Sequence, residues 1–221
     1  MEQDAFVTDA EKAYATLRQA IVTGGLAPGR KLKIAELRKQ FGFGAAPLRE
    51  ALSRLIGERV VVQHFHRGFY VRDVSAEDVE DLGRVRILLE SEALRDSLSR
   101  GGDDWEAHVV AAYHSLKLAE DRGTGPQEIE ERNRLFHDAL VSATPSHWLL
   151  DLRGQIYAHH ERYRHLSRSL GASGRDTPAE HAAIYKAAVA RDIDATCALT
   201  ARHIELTTEF ALKAMAARTQ A

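Results

Sequence analysis

The segment that most constrains this chain begins at a proline and reads PLREALSRL over residues 47–55. Proline suits the first turn of a helix, because the N–H group that it lacks has no intrahelical partner there. The apolar positions share one face at helical spacing (Leu48, Ala51, Leu52 and Leu55). We therefore predict an amphipathic helix that packs on a core and leaves Arg49 and Ser53 open to a partner.

The flanking segments extend this helix into a larger pattern. A shorter helix is predicted around Ile34, Leu37 and Phe41, and the sequence GFG at 42–44 supplies the turn between the two helices. Two β-prone stretches follow at 60–63 and 69–72, joined by a turn at 64–68, which predicts a hairpin wing. The whole pattern predicts a winged helix-turn-helix, which places its second helix in the major groove of double-stranded DNA.

Charge is divided unevenly along the chain. Residues 12–72 contain twelve Lys and Arg against three Glu, whereas residues 73–221 contain eighteen Lys and Arg against twenty-five Asp and Glu. This asymmetry is what a phosphate-binding head on an acidic body shows. The predicted DNA-contacting residues are Arg38, Lys39, Arg49, Arg54, His66 and Arg67. For Arg54 the alternative is a structural salt bridge with Glu50 or Glu58.

The rest of the chain is predicted to be helical. Ser75 and Asp78 form a capping signal, and six helices are predicted at about 76–99, 103–121, 126–142, 146–170, 177–191 and 192–217. Short loops between them imply an antiparallel bundle. The predicted fold is mainly α, with a winged helix-turn-helix domain at 1–74 and an all-helical domain for effector binding and dimerisation at 75–221.

Composition and missing motifs narrow the class of protein. No apolar run approaches the ~18 residues that span a bilayer, and the single Cys197 fits a reducing cytoplasm. The chain has no Glu-x-x-His pair, nucleophile elbow, phosphate loop or dinucleotide glycine pattern. We therefore expect a cytoplasmic protein that is not an enzyme and has no membrane partner.

Several segments resemble the GntR family of regulators, in the branch with an FCD helical domain. They are LRQAIV at 17–22, GLAPG at 25–29, PLREAL at 47–52, RGFYV at 67–71, Arg86 to Glu90, NRLFH at 133–137, Glu180-His181 and His203. The resemblance implies a homodimeric transcriptional regulator that binds an inverted repeat. We expect a repressor of a catabolic operon that a small carboxylate releases from DNA.

A metal site is predicted in the helical domain. Asn133 and His137 lie one helical turn apart, and His181 and His203 occupy two later helices. Three imidazoles and one oxygen donor suit Zn²⁺ or Ni²⁺. The resemblance implies these four positions as the metal ligands, although many members have Asp where this chain has Asn133. The other histidines are predicted at the surface or in the wing: His64, His66, His108, His114, His147, His159, His160 and His165.

A carboxylate effector requires a cation beside the metal. The resemblance implies Arg86 for this role, with Arg162, Tyr163 and Arg164 as further candidates. The alternatives are solvated helix charges and, for Arg86, an intrahelical salt bridge with Glu90. The similarity of FG at 43–44 and RGGDDWEA at 100–107 to glutarate-responsive repressors favours a dicarboxylate.

One departure from the family concerns the recognition helix. Many members have an arginine near its start that reads guanine through two hydrogen bonds, but this chain has Gly44 and Ala45 there. The operator sequences of those members therefore cannot be transferred to this chain. Two other functions remain open at this point: a regulator whose effector is the metal cation itself, and a metalloenzyme built on the helical bundle.

Overall fold

The computed structural model describes residues 8–169 and 175–219. The N-terminal part contains α1 (Asp9–Val22), β1 (Lys31–Leu32), α2 (Ile34–Phe41), α3 (Ala45–Gly57), β2 (Val61–His64) and β3 (Gly68–Val71). The C-terminal part contains α4 (Ala76–Arg100), α5 (Asp103–Arg122), α6 (Pro126–Leu140), α7 (His147–Ser169), α8 (Thr177–Val189) and α9 (Ile193–Thr219). The predicted fold class, a winged helix-turn-helix followed by a helical domain, is confirmed.

The helix ends in the head, which is the N-terminal part from α1 to β3, have local causes. At the start of α1, the Thr8 hydroxyl accepts from the backbone N–H of Glu11, and the Glu11 carboxylate accepts from that of Thr8. This capping box satisfies two donors that a helix start leaves open. α2 ends at Gly42, whose φ of +79° is left-handed and favours glycine over residues with a Cβ.

The head packs around one apolar core. α3 buries the predicted face against α1 and the sheet, so that Leu48, Leu52 and Leu55 have no exposed surface. The sheet has the order β1-β3-β2, with both pairs antiparallel. Strand β1 was not predicted, because two residues are too short to show an alternating pattern.

The helical domain matches the predicted elements closely. Each of its helices begins and ends within two residues of the predicted position, although the predicted end at residue 170 lies outside the described residues. α4 packs against α7 and α9, and α5 packs against α6 and α8. Leu94, Leu116 and Phe136 lie in the main core of this domain. Within the described ranges, no helix is both long enough and apolar enough to cross a membrane.

Candidate metal centre and nucleic-acid interface

Three buried histidines meet in the helical domain. His137 comes from α6, His181 from α8 and His203 from α9, and one ring nitrogen of each lies within 4.8 Å of the others. Burial and the neighbouring His203 hold the pKa of His137 well below its usual value, and burial lowers the pKa of His203 to about 3. Neutral imidazoles are the form that ligates a metal.

Carboxylates orient two of these rings. Nδ1 of His181 lies 2.8 Å from Oε1 of Glu120, and Nδ1 of His203 lies 2.7 Å from Oε2 of Glu180. Each Nδ1–H therefore donates to a carboxylate, which leaves the lone pair on Nε2. Histidine ligands of metals are commonly held in this way. The buried Nε2 atoms of His137 and His181 have no hydrogen-bond partner among the described residues, so the donor set fits a metal cation.

Glu180 is fixed from a second side. Arg175 donates from Nε to Oε1 and from Nη2 to Oε2 of this carboxylate, at 2.9 and 2.8 Å. Burial alone raises the pKa of Glu180, but the hydrogen bonds from Arg175 and His203 lower it to about 2. Glu180 therefore remains an anion that accepts from His203.

Asn133, the fourth predicted ligand, contacts Tyr157, whose ring lies near His137. It is buried one helical turn before His137, and its Nδ2 donates to the hydroxyl of Tyr157 at 2.8 Å. This hydrogen bond fixes the amide so that Oδ1 is the remaining donor atom. Since an amide is neutral, it compensates less of a cation's charge than the carboxylate of an Asp does.

A group of buried arginines surrounds Tyr157. The guanidinium carbons of Arg86, Arg164 and Arg153 lie 4.5, 4.3 and 5.3 Å from the centre of its ring. The ring centre of Tyr157 is also 6.0 Å from that of His137. Burial raises the pKa of Tyr157 to about 12, so its hydroxyl keeps its proton. Tyr157 thus connects the histidine cluster to the arginines.

The arginines also contact carboxylates. Arg153 donates to Glu90 at 2.8 Å, and Arg164 donates to Glu130. The predicted alternative for Arg86 is present, since its Nη2 lies 3.5 Å from Oε1 of Glu90. Burial, followed by repulsion from Arg164, lowers the pKa of Arg86 to about 10, so it stays a cation at neutral pH.

His160 corrects one prediction from the sequence. It was expected at the surface, but it is 0% exposed. Its Nδ1 lies 2.7 Å from Nη1 of Arg86 inside the helical domain. Burial and Arg86 hold the pKa of His160 well below its usual value. Nδ1 therefore accepts from Arg86, and Nε2 carries the proton. Its neighbour His159 and also His165 are half-buried, whereas the other five histidines outside the cluster are exposed as predicted.

The structure separates the candidate effector residues. Arg86 and Arg164 both lie beside Tyr157. Arg162 instead donates to the backbone carbonyl of Arg72 at 2.8 Å, and Tyr163 donates to Asp78 at 2.7 Å. Those two residues lie where α7 meets the end of the wing and the start of α4, away from the arginine group.

The predicted DNA-contacting residues lie on the outer surface of the head. Arg38 and Lys39 occupy the last turn of α2, Arg49 lies in α3, and His66 and Arg67 form the wing turn; all are exposed. Among the described residues, no ion-pair partner is present for Arg38, Lys39, Arg49 or Arg67. They are therefore available to phosphates.

Arg54 packs on a neighbouring aromatic ring. Its guanidinium lies 4.1 Å from the ring centre of Tyr14, and no salt bridge to Glu50 or Glu58 is present in the described chain. Glu58 instead accepts from the hydroxyl of Tyr14 and lies 3.7 Å from Nε of Arg18. Arg54 remains exposed, so stacking on Tyr14 leaves its guanidinium edge accessible.

The histidine cluster and the arginine group together form the buried centre of the helical domain. Sequence reasoning missed several of its residues, namely Glu120, Arg153, Tyr157, His160 and Arg175. Four polar residues of α7 follow one another at intervals of four, three and four (Arg153, Tyr157, His160 and Arg164). This spacing places them on one helix face, so it is the signal that could have identified the group. Glu120 carries no such signal, because its contact with His181 depends on the packing of α5 against α8.

A winged helix-turn-helix joined to a helical domain with a buried polar centre defines this protein as a DNA-binding transcriptional regulator. The chain belongs to the GntR family of bacterial regulatory proteins: residues 9–71 match that family and residues 81–206 match the FCD domain. The family consists of regulators, not enzymes, which rules out the metalloenzyme alternative.

Relatives cover most of the chain. It is 38% identical over 200 residues to the uncharacterized HTH-type transcriptional regulator BphR of Paraburkholderia xenovorans, covering 88% of this chain and 82% of BphR. It is 31% identical over 198 residues to the HTH-type transcriptional repressor GlaR of Escherichia coli, covering 86% and 90%. The structure of E. coli McbR/YncC has the same fold, with a TM-score of 0.76 at 21% identity, covering 94% of this chain and 99% of that one.

Proposed function

We propose that this protein is a homodimeric repressor whose operator affinity falls when a small carboxylate binds beside a metal ion in the helical domain. Two kinds of buried nitrogen without a hydrogen-bond partner support this proposal. In the histidine cluster, the lone pair on Nε2 of His181 can bind a cation. In and next to the arginine group, N–H groups of Arg86, Arg153 and His160 can donate hydrogen bonds to an anion.

The metal ligands in this proposal are Asn133, His137, His181 and His203. The donor set of three imidazoles and one amide oxygen suits Zn²⁺ or Ni²⁺ and leaves coordination positions for an exogenous ligand. When bound, the metal acts as a Lewis acid that attracts an oxygen anion. Glu120 and Glu180 orient the imidazoles, and Arg175 keeps Glu180 ionised.

The arginine group supplies the second half of the effector site. The nitrogens Nε and Nη2 of Arg86, Nη2 of Arg153 and Nε2 of His160 are all donors, and each is buried without a hydrogen-bond partner in the described chain. Oε1 of Glu90 lies 3.5 Å from Nη2 of Arg86 but forms no hydrogen bond to it, so these donors favour a carboxylate over a neutral ligand. Because His137 and Arg86 both lie near the ring of Tyr157, we propose a dicarboxylate with one group at the metal and the other at Arg86.

A cleft offers a route to this centre. It has a volume of about 900 Å³ and runs between α6 and α7. Glu130 and Tyr157 line it, and both residues also contact the arginine group. We propose that the effector enters through this cleft, and that Arg164 and Glu130 part as it does so.

The head at 1–74 binds DNA in this proposal, and the helical domain at 75–221 senses the effector. Arg49 contacts bases or phosphates, and Arg38, Lys39, Arg54, His66 and Arg67 contact the neighbouring backbone. α7 connects the two activities, since His160 and Arg164 contact the buried centre while Glu161 pairs with Arg18 of α1 at 2.8 Å. An effector that favours one position of α7 therefore also favours one position of the head.

Dimerisation fits an apolar surface on the helical domain. Leu88 of α4 is 71% exposed and Trp148 of α7 is 79% exposed, and Leu152 is also exposed one turn after Trp148. Leu88 lies on α4, which packs beside the helix that carries Trp148 and Leu152. We propose this surface as the homodimer interface, which would match the two halves of an inverted-repeat operator.

Thermal unfolding of the metal-free protein tests the effector site directly. We expect Zn²⁺ or Ni²⁺ to raise Tm, and glutarate to raise it further only when the metal is present. The double variant His137→Ala/His181→Ala removes two ligands and should lose both shifts. If Zn²⁺ and glutarate raise Tm of this variant as much as that of the wild type, the proposed site is excluded.

A second candidate function is direct metal sensing, with the cation as effector. The buried histidine cluster with its orienting carboxylates favours it, since these features require no organic ligand. Titration of DNA binding with Zn²⁺ alone separates the two functions. A large change in operator affinity without any carboxylate supports metal sensing, and no change supports the carboxylate effector.

A further inference from the structure

The tip of the wing presents an exposed phenylalanine. Phe65 is 88% exposed, more than any other large apolar side chain in the described ranges. It is the first residue of the turn between β2 and β3, which the N–H of Arg67 closes by donating to the carbonyl of His64 at 3.0 Å. His66 and Gly68 take left-handed φ values of 60° and 92°. A closed turn therefore holds the ring outward at the end of the hairpin.

The surroundings of Phe65 are cationic or polar. Its ring centre lies 4.1 Å from that of His66, and Arg67 follows directly. On the adjacent strands, Nζ of Lys31 lies 5.6 Å from the ring centre of Tyr70, which contacts His64. No ion-pair partner for Lys31 or Arg67 occurs in the described chain. Single exposed apolar residues are common, but an aromatic tip within a cationic hairpin has the chemistry of a nucleic-acid contact.

We propose that Phe65 inserts as a wedge between two base pairs from the minor groove of the operator. Apolar side chains that enter a base step in this way unstack it and kink the duplex by about 20–90°. Arg67 on the same turn is placed to neutralise the flanking phosphates. The proposal rests on DNA binding, which family membership establishes, and on neither the metal nor the effector.

The wedge gives the head a way to select sequence without hydrogen bonds to bases. Pyrimidine–purine steps such as TA and CA are the easiest to unstack, so insertion favours them at the contacted position. This matters for a recognition helix with Ala45 near its start, where no guanidinium fork can read guanine. Phe65 therefore contributes to specificity through the deformability of the operator.

The test uses the tightest-binding duplex selected by the full-length protein from a random-sequence library. 2-Aminopurine replaces each adenine of one half-site in turn, on either strand, because it still pairs with thymine and its fluorescence rises when it unstacks. For the wild-type protein we expect a rise at one step outside the major-groove contacts. Phe65→Ala should lose this rise and bind about 10-fold more weakly or worse. Phe65→Leu, which keeps an apolar wedge, should retain part of both.

Arg67→Ala is the matched control on the same turn. It should keep the fluorescence rise but lower the slope of log affinity against log salt by about one contact, whereas Phe65→Ala leaves this slope unchanged. Replacing the unstacked step by AA should weaken wild-type binding more than that of Phe65→Ala. The proposal is overturned if no position unstacks, or if Phe65→Ala binds and unstacks the duplex as the wild type does.

Discussion

The buried centre of the helical domain contains more donors than the protein itself satisfies. Arg86 is 1% exposed, yet its Nε and Nη2 have no hydrogen-bond partner among the described residues. A buried donor without a partner costs about 1–3 kcal/mol. A ligand that accepts from Arg86 recovers this cost, so the same atoms that destabilise the free protein favour the complex.

Arg86→Met tests the role of this cation. We expect glutarate to bind the metal-loaded variant about 10- to 150-fold more weakly, because hydrogen bonds to a charged group are lost. Calorimetric titration measures the change. Arg86→Lys keeps the charge without the two-point fork and should recover only part of the affinity. Arg84→Met, an exposed arginine of the same helix, should bind as the wild type does.

His160 gives the metal-free protein a pH-dependent stability. The folded state holds this residue neutral, since burial, followed by Arg86 and Arg164, lowers its pKa, while the unfolded chain takes up the proton near pH 6.5. Its contribution is fully present above about pH 6.5 and decreases as pH falls below that value. In His160→Asn, the free energy of unfolding should change less steeply with acidification, by up to about 1.4 kcal/mol per pH unit.

The matched control for this prediction is His108→Asn. His108 is exposed in α5, so its removal should leave the slope of stability against pH unchanged. Chemical denaturation at several pH values measures both slopes. Identical slopes for His160→Asn and the wild type would mean that His160 is not held neutral in the folded protein.

Among the elements, α7 contacts both functional regions. Its inner face contacts the buried centre through Tyr157, His160 and Arg164, and Glu161 on another face pairs with Arg18 of α1. Arg162 adds a hydrogen bond to the carbonyl of Arg72 at the end of the wing. α7 is therefore in contact with the buried centre and with the head.

Glu161→Gln tests this connection. We expect the variant to bind glutarate normally, while the ratio of DNA affinities without and with glutarate falls several-fold toward one, because a coupling contact is lost. Fluorescence anisotropy of labelled operator measures the ratio. Asp121→Asn removes an exposed ion pair with Lys117 in α5 and should leave the ratio unchanged. An unaltered ratio in Glu161→Gln would assign the coupling to other contacts.

The elements were largely predictable, and the buried centre was predictable only in part. Capping at Thr8 and Ser75 is a local signal, so the starts of α1 and α4 follow from short stretches of sequence. The helix predicted to begin at Pro47 instead begins at Ala45, two residues earlier. The pairings of Glu120 with His181 and of Arg86 with His160 join residues 61 and 74 positions apart. Such contacts depend on how helices pack, and a single sequence does not encode them in any local pattern.

At the scale of the whole molecule, the exposed surface around Trp148 should determine the oligomeric state. Trp148→Glu places a charge in the proposed interface, so we expect a monomer in light scattering and operator binding about 100-fold weaker or worse, since the two half-sites are no longer linked. His114→Glu adds the same charge at an exposed position of α5 and should remain dimeric. A dimeric Trp148→Glu would require another interface.

We propose that a carboxylate bound beside the metal in the helical domain controls the affinity of the head for DNA. Fluorescence anisotropy of the selected operator, titrated with glutarate at a fixed concentration of Zn²⁺-loaded protein, measures this coupling directly. We predict that DNA affinity falls by about 5- to 150-fold as glutarate saturates the helical domain. Unchanged affinity across glutarate and a panel of other small dicarboxylates would contradict the account.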